Sequence, residues 1–270
     1  MSRNFALSMR GGAFLQVVAS VLLLTGVHAS QRTDRPRRLT VAAAADLQFA
    51  MDDILKEFRT VRPDLDVRVT YGSSGNFMAQ ISNGAPFDVL FSADMDNVRQ
   101  LSSRQLTHAD SEFVYAVGRI VLWVRRSSPL DLNQGAAVLQ APSVRRIAIA
   151  NPLHAPYGRA AEAALKSLNV YEGVRSKLVF GENVAQAAQF VESGGADIGI
   201  IALSLATSPT LMKEGRYWAI PLGAYPRMEQ GGAILRRAQD PEAARALTMF
   251  VLGTSGRTIL KRFGFFLPGS

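Results

Sequence analysis

From Leu39 onward, short apolar runs alternate with segments in which apolar residues recur every three to four positions. Short continuous runs suit strands buried on both faces, and the three-to-four spacing suits helices with one face on a core. The runs predict strands at 39–43, 67–71, 88–92, 120–125, 146–150, 177–180, 197–201, 217–221 and 233–235. Between the first two, Leu47, Ala50, Met51, Ile54, Leu55 and Phe58 share one helical face, and Pro63 closes the segment. Asp46 stands just before that face, where an N-cap is expected. Similar helical segments are predicted at 76–82, 159–168, 184–192 and 241–252. The alternation defines an α/β protein built on mainly parallel sheets flanked by helices.

Two stretches interrupt this rhythm. Residues 112–126 alternate apolar and polar positions over a length that can carry one strand from a first lobe into a second. Residues 208–232 are extended and punctuated by Gly and Pro, and can bring the chain back. Two crossings predict a lobe 1 formed by 39–117 and 222–270, a lobe 2 formed by 118–221, and a ligand cleft at the hinge. No repeat of fixed period is present.

The first thirty residues follow a different pattern. Arg3 and Arg10 precede an apolar run at 13–25, and Val27-His28-Ala29 supplies small residues at the two key positions of a cleavage site. This predicts a secretory signal peptide at 1–29, followed by a flexible leader at 30–38. A retained membrane anchor is the competing reading, but the run falls short of the roughly 20 apolar residues a spanning helix needs. The chain has no cysteine, hence no disulfide, thiolate metal site, thiol nucleophile or cysteine for attaching a lipid. An unanchored, monomeric periplasmic protein is the expectation.

Formal net charge is +8, and loss of Arg3 and Arg10 with the signal leaves 28 basic against 22 acidic side chains. The basic residues are scattered, apart from Arg35, Arg37 and Arg38 in the leader, and none form a run interleaved with aromatics. That argues against a nucleic-acid partner. A mild positive field favours encounter with small anions, although solubility alone also accounts for it.

Four places combine a strand end, small or polar residues and a helix start. They are 41–47 with its alanines and Asp46, 71–76 with Ser73 and Ser74, 151–158 with Tyr157, and 180–184 with Val184. Unpaired amides at a helix start point outward and carry the positive end of the helix dipole, so such turns hold anions without formal charge. Each turn alone is ordinary capping; four of one type, spread over both predicted lobes, suggest an anion cage.

The ordered set Ala42 to Leu47, Tyr71-Gly72-Ser73-Ser74-Gly75, Gln80-Ile81, Asn83 to Val89, Phe91-Ser92-Ala93-Asp94, Gly181-Glu182-Asn183-Val184 and Arg262-Phe263-Gly264-Phe265 resembles the periplasmic molybdate-binding proteins of ABC transporters. The resemblance runs over the whole chain after the leader, in the same order. It implies the two-lobed type II periplasmic-binding fold and capture of molybdate or tungstate as a ligand, with no cofactor and no direct protein ligand to the metal. An ABC permease at the inner membrane is the implied partner. Carried over by position, it implies oxyanion contacts at Asp46, where the family commonly has Ser or Asn, and at Ser74, Tyr157 and the Val184 amide. Ala202 stands where some members have a contacting tyrosine.

Asp46 is the departure from that pattern. A carboxylate within about 4 Å of the oxyanion repels it by roughly 4 kcal/mol per unit of ligand charge at an effective dielectric of about 20. Three accounts stay open: Asp46 turns away to cap its own helix, it is protonated in the complex, or it accepts a hydrogen bond from a ligand that carries a proton. The last would favour phosphate, phosphite or another protonated oxyanion.

Other chemistry has little support in the residues. His108 and His154 lack partners at metal spacing, Ser73 and Ser74 lie outside a Gly-x-Ser-x-Gly elbow, and neither a phosphate-loop nor a dinucleotide motif occurs. An exported hydrolase would need an acid, base or nucleophile pair that the sequence does not offer. A binder, not an enzyme, is therefore expected.

Overall fold

The computed structural model describes residues 37–269. The predicted signal peptide at 1–29 and most of the predicted leader lie outside the described residues. In chain order the elements are β1 (Arg37–Ala44), a 3-10 turn (Ala45–Leu47), α1 (Gln48–Val61), β2 (Leu65–Gly72), α2 (Ser74–Ser82), β3 (Val89–Ser92), α3 (Met95–Ser103) and β4 (Phe113–Gly118). Next come β5 (Ile120–Arg125), β6 (Ile147–Ala150), α4 (Pro156–Ser167), α5 (Tyr171–Val174), β7 (Leu178–Gly181), α6 (Val184–Glu192) and β8 (Ile198–Ala202). The chain finishes with α7 (Leu203–Ala206), α8 (Pro209–Glu214), β9 (Gly215–Ala219), β10 (Met228–Ile234), α9 (Pro241–Leu252) and α10 (Thr254–Arg262).

Among the described residues the strands form two five-stranded sheets, ordered β2-β1-β3-β10-β4 and β7-β6-β8-β5-β9. Each is an α/β sheet with one reversed strand, β10 in the first and β5 in the second. The reversed strand is the one that has just crossed from the other lobe. β4 ends at Gly118 in the first sheet and β5 opens at Ile120 in the second; the return runs from β9 through 220–227 into β10. Two narrow connections thus join the lobes, and strand ends and helix starts of both meet at the cleft between them.

Burial explains the runs. β1 lies between β2 and β3 and is closed on both faces, so Leu39 and Val41 to Ala44 are all buried. On α1, Ala50, Met51, Ile54, Leu55 and Phe58 face the first core. Phe58 packs edge-to-face on Phe250 of α9, with centroids 5.3 Å apart, which binds the C-terminal helices to the N-terminal part of the same lobe. The second lobe packs Trp123, Ile147, Ile149, Ile198 and Ile201 around α4 and α6.

Several predicted boundaries move. Arg37 and Arg38 are in β1 rather than in a leader, because Arg37 pairs with Asp240 at 2.5 Å and its amide bonds the Asp64 carbonyl. β10 opens at Met228, well before the predicted 233, as its polar first half is paired with β4. α4 opens at Pro156 instead of 159, since proline suits the first helical position. This puts Tyr157 inside the helix and not in the turn before it.

Candidate functional site

All four residues singled out in the sequence line one tight, nearly filled cleft between the lobes, with a cavity of about 10 Å³. Asp46 and Ser74 come from lobe 1, with Ala44 and Ala93 beside them; Tyr157 and Val184 come from lobe 2. That is far below the roughly 300–1,000 Å³ of pockets for drug-sized ligands, so the closed cleft has no room for anything as large as a nucleotide. Three helices of eight or more residues open onto it: α2, α4 and α6.

Local sequence leaves donors at each opening. Asn183 caps α6 by accepting from the Ala185 and Gln186 amides at 3.0 Å each, and the Val184 amide stays without an acceptor among the described residues. Ser74, the first residue of α2, accepts from the Ala93 amide through Oγ at 2.9 Å. Its hydroxyl proton is therefore left to donate elsewhere. Tyr157 follows Pro156 in α4, where its amide has no intrahelical acceptor. No lysine or arginine lines the cavity, and its one ionisable carboxylate is Asp46.

Asp46 does not cap α1. It sits in the 3-10 turn that precedes the helix, and no side chain caps either element. Its carboxylate turns across the cleft: Oδ2 accepts from the Tyr157 hydroxyl at 2.8 Å and from Gln230 Nε2 at 2.8 Å. Gln230 Nε2 also reaches the Tyr157 oxygen at 2.9 Å, and Gln230 Oε1 accepts from the Tyr115 hydroxyl at 2.9 Å. The Asp46 carbonyl in turn accepts from Ser204 Oγ at 2.8 Å. Oδ1 is fully buried with no hydrogen-bond partner. Burial pushes the Asp46 carboxyl up to about 6, although the bonds from Gln230 and Tyr157 oppose the rise. Burial, and then the Asp46 charge, hold the Tyr157 and Tyr115 hydroxyls protonated far above their ordinary range. The Tyr157 proton is thus committed to Asp46, leaving its amide as the donor for a ligand.

Further contacts hold the lobes together at the rim. The Gly75 amide donates to the His154 carbonyl at 2.9 Å, and Ser73 Oγ lies 2.9 Å from His154 Nδ1. Asn76 bonds Glu182, and Arg159 pairs with Asp94 at 2.5 Å. His154 thus belongs to the lobe contact, without metal partners; among the described residues no cluster suited to a metal ion occurs. Gln230, Tyr115, Ser204 and His154 were not legible as site residues. A glutamine beside Gly231-Gly232 in an extended stretch carries no local signal of a partner 184 positions away.

A two-lobed α/β fold closed on a cavity of neutral donors defines a periplasmic-type solute-binding protein. The chain belongs to the bacterial extracellular solute-binding proteins, whose family model matches residues 39–266. Its relatives include the molybdate-binding protein ModA of Azotobacter vinelandii, 38% identical over 225 residues, covering 83% of this chain and 88% of the relative. ModA of Rhodobacter capsulatus is 34% identical over 200 residues, covering 74% and 77% respectively. The solved Azotobacter vinelandii periplasmic molybdate-binding protein superposes with a TM-score of 0.78 at 32% identity, covering 85% of this chain and 99% of that one. The sulfate-binding protein SubI of Mycobacterium tuberculosis, 15% identical with a TM-score of 0.69, shares the fold.

Proposed function

We propose that this protein captures molybdate or tungstate in the cleft and delivers it to an ABC permease of the inner membrane. The observation that carries this reading is the convergence of three helix starts, from both lobes, on one small cavity without a cationic side chain. Such a site holds a compact anion by amides and the Ser74 hydroxyl, which replace its hydration shell as the lobes close. The relatives named for molybdate give the oxyanion its identity. Asp46, Ser74, Tyr157 and Val184 are the contacts, two from each lobe, and cavity size sets the preference for long metal–oxygen bonds over sulfate.

Calorimetric titration with molybdate, tungstate, sulfate and phosphate tests the reading. Saturable binding of molybdate and tungstate, much tighter than of sulfate or phosphate, is expected; a protein that takes up none of the four would end the proposal. Ser74→Ala is expected to weaken molybdate binding by about 1–3 kcal/mol through loss of a donor to a charged group. Unchanged affinity in that variant would place the ligand elsewhere.

A further inference from the structure

Asp46 poses a problem for any anion site. Its carboxylate is buried in the cavity wall, where an oxyanion would meet a second negative charge. The two oxygens are in different circumstances. Oδ2 accepts two hydrogen bonds, from Tyr157 and Gln230, and so is held as an acceptor. Oδ1 has no hydrogen-bond partner among the described residues. A buried carboxylate oxygen without a donor is costly, and adding an anion beside it makes the cost larger. A proton on Oδ1 removes both penalties at once, since the group becomes neutral and gains an O–H that points to an acceptor.

We propose, building on the oxyanion reading above, that Asp46 is a proton-coupled specificity residue: loading the cavity takes up one proton, held between Asp46 Oδ1 and the bound oxyanion. The balance is simple. The carboxylate, one solvent proton and the dianion combine into a carboxyl group hydrogen-bonded to the dianion, with no bond broken in the ligand.

The surroundings of Asp46 agree with this. From α4 it faces the Tyr157 hydroxyl, from β10 the Gln230 amide with Tyr115 of β4 behind it, and from α7 the Ser204 hydroxyl. None of these is a cation, and among the described residues no Lys, Arg or His side chain bonds or pairs with the carboxylate. The charged groups of the rim are engaged away from Asp46: Asp94 pairs with Arg159, and Glu182 accepts from Asn76 and lies 3.7 Å from His154 Nε2. Burial already raises the free carboxyl to about 6, so the proton is within easy reach near neutrality.

The test is titration of the full protein with sodium molybdate between about pH 6.5 and pH 8.5, in buffers of different ionisation enthalpy. Above about pH 7, close to one proton per anion should be taken up, and affinity should fall about tenfold for each unit rise in pH. Asp46→Asn presents a permanent N–H where the proton would sit and keeps an oxygen for Tyr157 and Gln230. That variant should bind with no proton uptake and a flat pH profile, and more tightly than the wild type at the alkaline end. His154→Asn, which removes the histidine of the lobe contact, should retain the uptake. Molybdate binding without proton uptake in the wild type, or uptake that disappears with His154 and persists without Asp46, would overturn the proposal and leave the oxyanion reading standing. Failure of every tetrahedral anion to bind would overturn both.

Discussion

At the scale of single residues, the unusual group is the Asp46 carboxylate, to which Tyr157 and Gln230 donate hydrogen bonds without neutralising it. Its ionisation is opposed by burial, so the sign of its effect on folding can be worked out. A carboxyl whose value is raised in the folded protein binds its proton more tightly there than in the unfolded chain. Its contribution to stability is present in full below about 4 and is lost as pH rises towards about 6. The loss amounts to roughly 3 kcal/mol. Asp46→Asn avoids it, so thermal unfolding without ligand should show the variant level with the wild type near pH 4 and more stable near pH 7. A variant less stable at both would mean that the charge-assisted bonds from Tyr157 and Gln230 outweigh the burial cost. Asp46 stood out in the sequence as a departure from the Ser or Asn that the resemblance implies at that position, while its place before α1 suggested a helix cap. Its partner Gln230 did not stand out, because the pairing arises from how β10 returns between β3 and β4.

At the scale of elements, the strands and the helix starts were legible because their apolar runs and small residues are local signals. The openings of α2 and α4 were harder to read. In α4 the helix continues N-terminally through Pro156 and Tyr157, whose side chain is spent on a contact with the other lobe. The extent of α3 was not legible because only Met95, Val98 and Leu101 carry its apolar face among polar neighbours. The approach of α2 to the turn at His154 leads to a prediction. A Cβ on Gly75 would come within 2.5 Å of the His154 carbonyl oxygen, a backbone atom that cannot swing aside. Gly75→Ala should therefore hinder closure specifically: molybdate affinity should drop at least about tenfold, while unfolding without ligand changes little, since alanine is the better helix former. A variant that binds as tightly as the wild type would mean the lobes close without this contact.

At the scale of the whole molecule, the two lobes meet through side chains that belong to opposite sides of the cleft, and only two connections cross between them. An anion that binds the closed form and not the unfolded chain stabilises it by mass action, about 4 kcal/mol at a thousandfold excess over Kd. For a chain of this size that corresponds to a rise in Tm of roughly 8–16 °C. Calorimetry with saturating molybdate against saturating sulfate should show the rise for the first and little for the second. X-ray scattering of the same samples should show the radius of gyration fall on molybdate addition.

The sheet order of the first lobe also governs the sequence of events when the polypeptide is made. Among the described residues the β4 backbone pairs with β10 and, through Val117, with Phe266. Everything from Ile120 to Ala219, by contrast, closes its own sheet with strands already synthesised. A nascent chain can thus finish its middle before its beginning, and Phe113–Gly118 must wait, edge exposed, for the last forty or so residues. A premature stop ahead of Met228 would strip that strand of both neighbours, leaving an aggregation-prone ribbon attached to an otherwise complete second half.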